Sequence, residues 1–142
     1  MSAKHIKVVD LLNSGRHANI SDYSISFAKF SQDEGLILAT VIKNINAKQR
    51  AGAFYNVRIK YEPVGPLTTT SQVKVSCSCP DFLTSWSYVL AHHNGLFNQQ
   101  YASLTNEFSY AIITPPKHRN PSQRIGACKH VLLVLQEALK NQ

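Results

Sequence analysis

Apolar and polar residues alternate with a period of two through most of the first half of the chain, the pattern of strands with one face turned to a core. Over residues 20–30, Tyr23, Ile25, Phe27 and Lys29 fall on one side and Asp22, Ser24, Ser26 and Ala28 on the other. A turn at Asp33, Glu34 and Gly35 leads into a second strand over 36–45. A third, over 54–61, sets Tyr55, Val57, Ile59 and Tyr61 against Asn56, Arg58 and Lys60. Pro63, Gly65 and Pro66 separate it from a fourth, over 72–79, in which Val73, Val75, Cys77 and Cys79 oppose Lys74, Ser76 and Ser78. Helical spacing replaces alternation elsewhere. Residues 4–13 predict a short helix with Ile6, Val9 and Leu12 inward, joined by Val8, and ending at Ser14 and Gly15. Pro80 stops the fourth strand, and Asp81 is the expected N-cap of a helix carrying Phe82, Trp86, Val89 and Leu90 and ending near Gly95. Val131, Leu132, Leu135 and Leu139 mark an amphipathic helix near the end of the sequence.

Strands joined by short, turn-rich connections predict an α+β fold: an antiparallel sheet, as a meander or an open barrel, with a helical layer against it. Residues 1–72 would hold the first helix and the meander, and residues 73–142 the remainder, the two forming one unit. The chain has 142 residues and 44% hydrophobic content, enough for one core and too apolar for a disordered chain. Its longest apolar-rich run, residues 36–42, is too short to span a membrane, and Met1-Ser2-Ala3-Lys4-His5 does not open a secretory signal. The expectation is a soluble protein made in a reducing cytoplasm, with no membrane partner.

The cysteines change the picture most. All three lie in two short doublets, Cys77-Ser-Cys79 and Cys128-Lys-His130, where the second is completed by a histidine. A Cys3His set satisfies the tetrahedral preference of Zn2+ and leaves no position open for water or substrate, so the implied role is structural. Three thiols cannot all pair as disulfides, and a bridge across one intervening residue would be strained. Two other readings stand beside zinc: buried inert thiols, and an iron–sulfur cluster held by three cysteines and a histidine. Local pattern fits a shared site, because alternation puts Cys77 and Cys79 on one side of a strand end. Residues two apart on a helix diverge by about 200°, so Cys128 should precede the last helix, with His130 reaching back from its first turn.

A CxC on a strand followed by a CxH opening a helix resembles the SWIM-type zinc finger, over about residues 73–135, with Cys77, Cys79, Cys128 and His130 as the metal ligands. That resemblance implies a non-catalytic module that binds nucleic acid or other proteins. The spacer, residues 80–127, is longer than the usual SWIM pattern. The wording CSCPDF, an aromatic-bearing helix, an Asn-Pro in a basic loop and then GACKH is closer to small SWIM-like proteins of tailed bacteriophages, several of them virion components. It implies a zinc-clipped structural protein located in a virion, assembled in the host cytoplasm, with virion proteins as partners.

Within residues 82–116 the single acidic or basic side chain is Glu107, whereas Trp86, Tyr88, Phe97, Tyr101, Phe108 and Tyr110 supply aromatic surface. Interface centres combine low charge with aromatic residues, which makes this stretch a candidate protein-docking surface; packing on the sheet is the equal alternative. Residues 117–124 follow as a basic loop. Lys117, Arg119 and Arg124, with Lys129 beside the metal ligands, form a candidate phosphate or nucleic-acid contact, in keeping with a net charge of +7. The aromatics do not interleave with these cations as stacking platforms do, which favours protein partners over nucleic acid. His92, His93 and His118 lack an accompanying nucleophile or carboxylate pattern, and no phosphate-binding glycine loop occurs. Neither an enzyme nor a small-molecule substrate is expected.

Overall fold

The structure, a computed structural model, describes residues 5–13, 22–43, 54–97, 120, 122 and 124–142. Strands β1 (Tyr23–Ser31), β2 (Leu36–Lys43), β3 (Phe54–Glu62) and β4 (Gln72–Cys77) form one antiparallel sheet in the order β1-β2-β3-β4. This is an open meander within an α+β fold. The connection between β1 and β2 is tight. The Gly35 amide bonds the Gln32 carbonyl, and Gly35 takes a φ of +62° where an added Cβ would lie 2.3 Å from the Tyr61 carbonyl oxygen. Glycine is required there by both conformation and space.

Alternation holds along β2 and β3, burying Ile37, Ala39, Val41, Val57, Ile59 and Tyr61 on one face. It breaks in β1. The register slips between Phe27 and Lys29, so Phe27 pairs with Ala39 while Lys29 pairs with Leu38 and Phe30 with Ile37. Ala28 is the extra residue of a bulge, and everything after it changes face. Lys29, expected inward, is therefore exposed and paired with Glu34 at 2.6 Å, and Phe30 packs against the core in its place.

The free side of β4 is covered by two short segments. Val73 donates to the Ile6 carbonyl, and Val75 exchanges hydrogen bonds with Gly95 and Phe97. Both satisfy backbone groups that an edge strand would leave bare. The first segment leads into α1 (Val8–Leu12), opened by a Lys7 amide bond to the Asp10 carboxylate at 2.9 Å. Val8 and Leu11 are its buried residues; Val9 and Leu12, expected inward, are only half-buried, because α1 is a single short turn docked by its backbone to the Thr69 and Ser71 carbonyls.

After β4 the chain enters a π-helical segment, Phe82–Trp86, continuous with α2 (Ser87–His92). Asp81 does not cap it: the residue is itself helical, and its carboxylate accepts from Ser85 Oγ at 3.0 Å and Trp86 Nε1 at 3.3 Å. At the far end Gly95 passes so close to Ile6 that a Cβ would lie 2.6 Å from its Cδ1. The last helix, α3 (Lys129–Lys140), lies on the inner face of the sheet against β2, β3 and β4 and touches α1. Residues His130 to Leu135 are all buried, so the first half of α3 is enclosed on every side and not on one stripe. One hydrophobic cluster joins Ile6, Ile37, Val57, Val75, Phe82, Trp86 and Leu135. Among the described residues no helix is long and apolar enough to cross a membrane.

Candidate metal centre

Cys77 closes β4 on the core side, carried there by the same alternation that buries Val73 and Val75. Cys79 sits at the entrance to the π-helical segment, where the Leu83 amide bonds its carbonyl and the Phe82 amide bonds its Sγ at 3.3 Å. The sulfur thus takes the helix-capping position that Asp81 vacates. Cys128 is extended, with φ −68° and ψ 162°, immediately before α3, and His130 belongs to the first turn. The strand end, the helix entrance and the start of α3 converge on one point.

There the three thiols and a His130 ring nitrogen all lie within 4.8 Å of one another, and Cys77 Sγ is 3.8 Å from His130 Nδ1. A tetrahedral zinc with bonds of about 2.3 Å to sulfur and about 2.0 Å to nitrogen would set its ligand atoms roughly 3.6–3.8 Å apart. The donor set fits such an ion with small adjustment. All four residues are buried, the cysteines at 0–2% exposure and His130 at 5%, and no disulfide joins the thiols. Three buried thiols and a ring nitrogen converging on one point are the arrangement that a cation would hold together. The four residues form a Cys3His group able to hold a metal ion and compatible with a zinc finger.

Aromatic packing orients the histidine. Its ring meets Tyr23 edge-on at 5.6 Å between centroids and lies against Tyr55 at 4.6 Å. Both tyrosines are inward positions of β1 and β3, legible as core in the sequence but not as supports of a ligand. The sequence also gave no role to Asn120, which is 2% exposed. Its amide donates to the Ser85 and Arg124 carbonyls at 3.0 Å each, and its Oδ1 accepts from the Arg124 amide at 3.0 Å. Asn120 therefore ties the approach to Cys128 to the helical segment that follows Cys79.

Of the candidate docking aromatics, Trp86 is a core residue at 2% exposure, its indole held by Asp81. For Trp86, packing on the sheet is the reading that applies. Tyr88 is half-buried and stacks on His92 at 4.1 Å, and Phe97 is half-buried beside β4. Tyr101, Phe108 and Tyr110 lie outside the described residues, as do Lys117, Arg119 and His118. Arg124 is exposed, and the exposed Lys129 extends its ammonium over Tyr23, 5.6 Å from the ring centroid. Hydrogen bonding to Tyr23 pushes the Lys129 pKa up, which keeps the residue cationic.

Proton sharing among the sulfurs is uneven. Hydrogen bonds from Cys128 and Cys77 hold the Cys79 thiol well below the ordinary range. Burial pushes Cys128 up, and its two sulfur neighbours act in the same direction. Cys77 is drawn down by its hydrogen bond with Cys128, but Cys79 and burial outweigh this and leave it raised. A bound dication requires all three as thiolates, so loading displaces the protons on Cys77 and Cys128. The sign follows: affinity is greatest at high pH and falls as pH drops, because thiol protons compete with the ion. Chelator competition between pH 6 and 8 measures this slope, and a flat profile would contradict the thiolate assignment. The chain matches no family model, no curated protein and no solved structure. What the site itself establishes is a buried Cys3His cluster that could hold a metal ion, joining a strand, a helix entrance and a second helix.

Proposed function

We propose that this protein is a non-enzymatic structural component of a protein assembly, its fold locked by one zinc ion on Cys77, Cys79, Cys128 and His130. The observation that carries this reading is the burial of all four donors in a set that completes a tetrahedral sphere. A metal so enclosed has no position for substrate and serves to hold chain segments together. The assembly role draws on the charge-poor stretch over residues 82–116 and its aromatic residues other than the buried Phe82 and Trp86, and its setting in a tailed-phage particle on the wording CSCPDF and GACKH.

Metal analysis of protein purified without chelators tests the core of the proposal. The expected result is about one equivalent of zinc per chain; less than about half an equivalent of any metal would sink it. Iron with a visible chromophore would replace zinc by a cluster. A second reading, nucleic-acid binding, is favoured by the exposed Arg124 and Lys129 next to the metal ligands. It requires saturable DNA or RNA binding that weakens steeply with salt and is lost on Arg124→Gln with Lys129→Gln. Assembly predicts weak, unsaturable binding that the double substitution leaves unchanged.

A further inference from the structure

On the face of the sheet away from the metal, Lys60 of β3 and Lys74 of β4 are directly paired residues. Like charges at paired positions destabilise a sheet. Their neighbours do not neutralise both. Lys60 Nζ donates to the Glu34 carbonyl, while the Glu34 carboxylate is engaged by Lys29. Lys74 makes no ion pair or hydrogen bond among the described residues, and is exposed.

These lysines line a cavity of about 480 Å3, within the roughly 300–1,000 Å3 typical of small-ligand sites. Leu36, Leu96 and Phe97 give it an apolar side, and Glu62 is the one acidic residue among its described lining. Among the described lining residues, two lysines against one glutamate leave a single net positive charge on these three side chains. The segment that forms the far wall is fixed, because Phe97 and Gly95 are hydrogen-bonded to Val75 on the free side of β4.

We infer that this cavity binds an organic monoanion, a carboxylate joined to an apolar group, with the carboxylate between Lys60 and Lys74 and the apolar part against Leu36, Leu96 and Phe97. One net charge suits a carboxylate and disfavours a polyphosphate, which would bring several negative charges against Glu62. The repulsion between the paired lysines is relieved when the anion arrives. The site does not touch the metal ligands, so it stands or falls independently of the assembly role.

Two sources offer this chemistry: the terminal carboxylate of a polypeptide with an apolar last residue, and a free aliphatic acid. The test titrates full-length, zinc-loaded protein with N-acetyl-Leu-Phe as the free acid, with the same dipeptide as its C-terminal amide, and with octanoate, followed by amide NMR shifts. The expected result is saturable shifts at Gln72, Lys74, Leu96 and Phe97 with at least one acid, and at least tenfold weaker binding of the amide. Stronger binding of the dipeptide acid assigns the site to a chain terminus; stronger binding of octanoate assigns it to a free acid. Lys74→Gln should weaken the acid about tenfold while raising the ligand-free Tm by about 2 °C, because it removes the repulsion. Glu62→Gln should leave affinity equal or tighter. Equal binding of acid and amide, or no saturable shifts up to about 5 mM of either acid, overturns the proposal.

Discussion

Cys77→Ser is expected to unfold the C-terminal half of the protein. Structural zinc contributes on the order of 10 kcal/mol to small metal-pinned modules, comparable with the whole stability of about 5–15 kcal/mol of an ordinary domain. Cys77 is the ligand that links the sheet to the other three, because Cys79 already belongs to the helix entrance and Cys128 and His130 to α3. Removing it would leave three donors for an ion, and α3 would lose any metal tether to β4. Amide exchange should show protection lost through Lys129–Lys140, and a chelator should reproduce the effect in the unmodified protein. His130→Ala should behave alike, with added loss because its ring also fills the space between Tyr23 and Tyr55. A Tm within a few degrees of the parent for both variants, or for protein treated with chelator, would show that the cluster holds nothing together.

Asn120→Ala is expected to have the next largest effect. Three buried or half-buried hydrogen bonds disappear together, leaving the Ser85 and Arg124 carbonyls and the Arg124 amide without this partner. Each such group costs about 1 kcal/mol or more, so a loss of about 3 kcal/mol is expected. Asn120→Asp separates hydrogen bonding from packing. It keeps the shape and the acceptor for the Arg124 amide but cannot donate to either carbonyl, so it should be at least as damaging as alanine. Urea unfolding of zinc-loaded protein measures both; aspartate at parental stability would show that the amide donors are idle. Zinc affinity should fall with stability, since Asn120 positions the approach to Cys128.

Much of this arrangement was legible because local patterns and global structure agree. The alternation of β2, β3 and β4 set out the sheet and its buried face, and Cys77 inherited that face as part of the pattern, whereas Cys79, expected on the same strand, lies beyond the end of β4 at the helix entrance. The doublets Cys77/Cys79 and Cys128/His130 pointed to one site without any knowledge of the fold, since thiols have few uses at that spacing. Other features depend on contacts that periodicity does not encode. A bulge at Ala28 is a backbone event, and no residue in β1 advertises it; hence strict alternation sets Lys29 on the face of Tyr23 and Ile25, where the structure turns it out. Asp81 has the composition of an N-cap, yet the ligand sulfur of Cys79 sits nearer the free Phe82 amide, leaving the carboxylate for Ser85 and Trp86. Leu133 and Val134 are buried because α3 is enclosed on more than the sheet side, which a one-stripe reading of the helix cannot foresee. The paired lysines were visible as residues but not as a pair, since register is set by the turn between β3 and β4.

The distance along the chain between the two ligand pairs also sets the order in which contacts form during folding. Neighbouring strands of a β1-β2-β3-β4 meander meet through short connections, whereas Cys79 and Cys128 meet only after the intervening segment has closed a long loop. Contacts across short separations form early, and those that must first meet a loop-closure cost form late. Interactions absent from the transition state act on the rate of unfolding and leave the rate of folding nearly unchanged. The metal would then govern how long a folded molecule survives and hardly at all how fast it is made: a clasp whose strength is felt as lifetime.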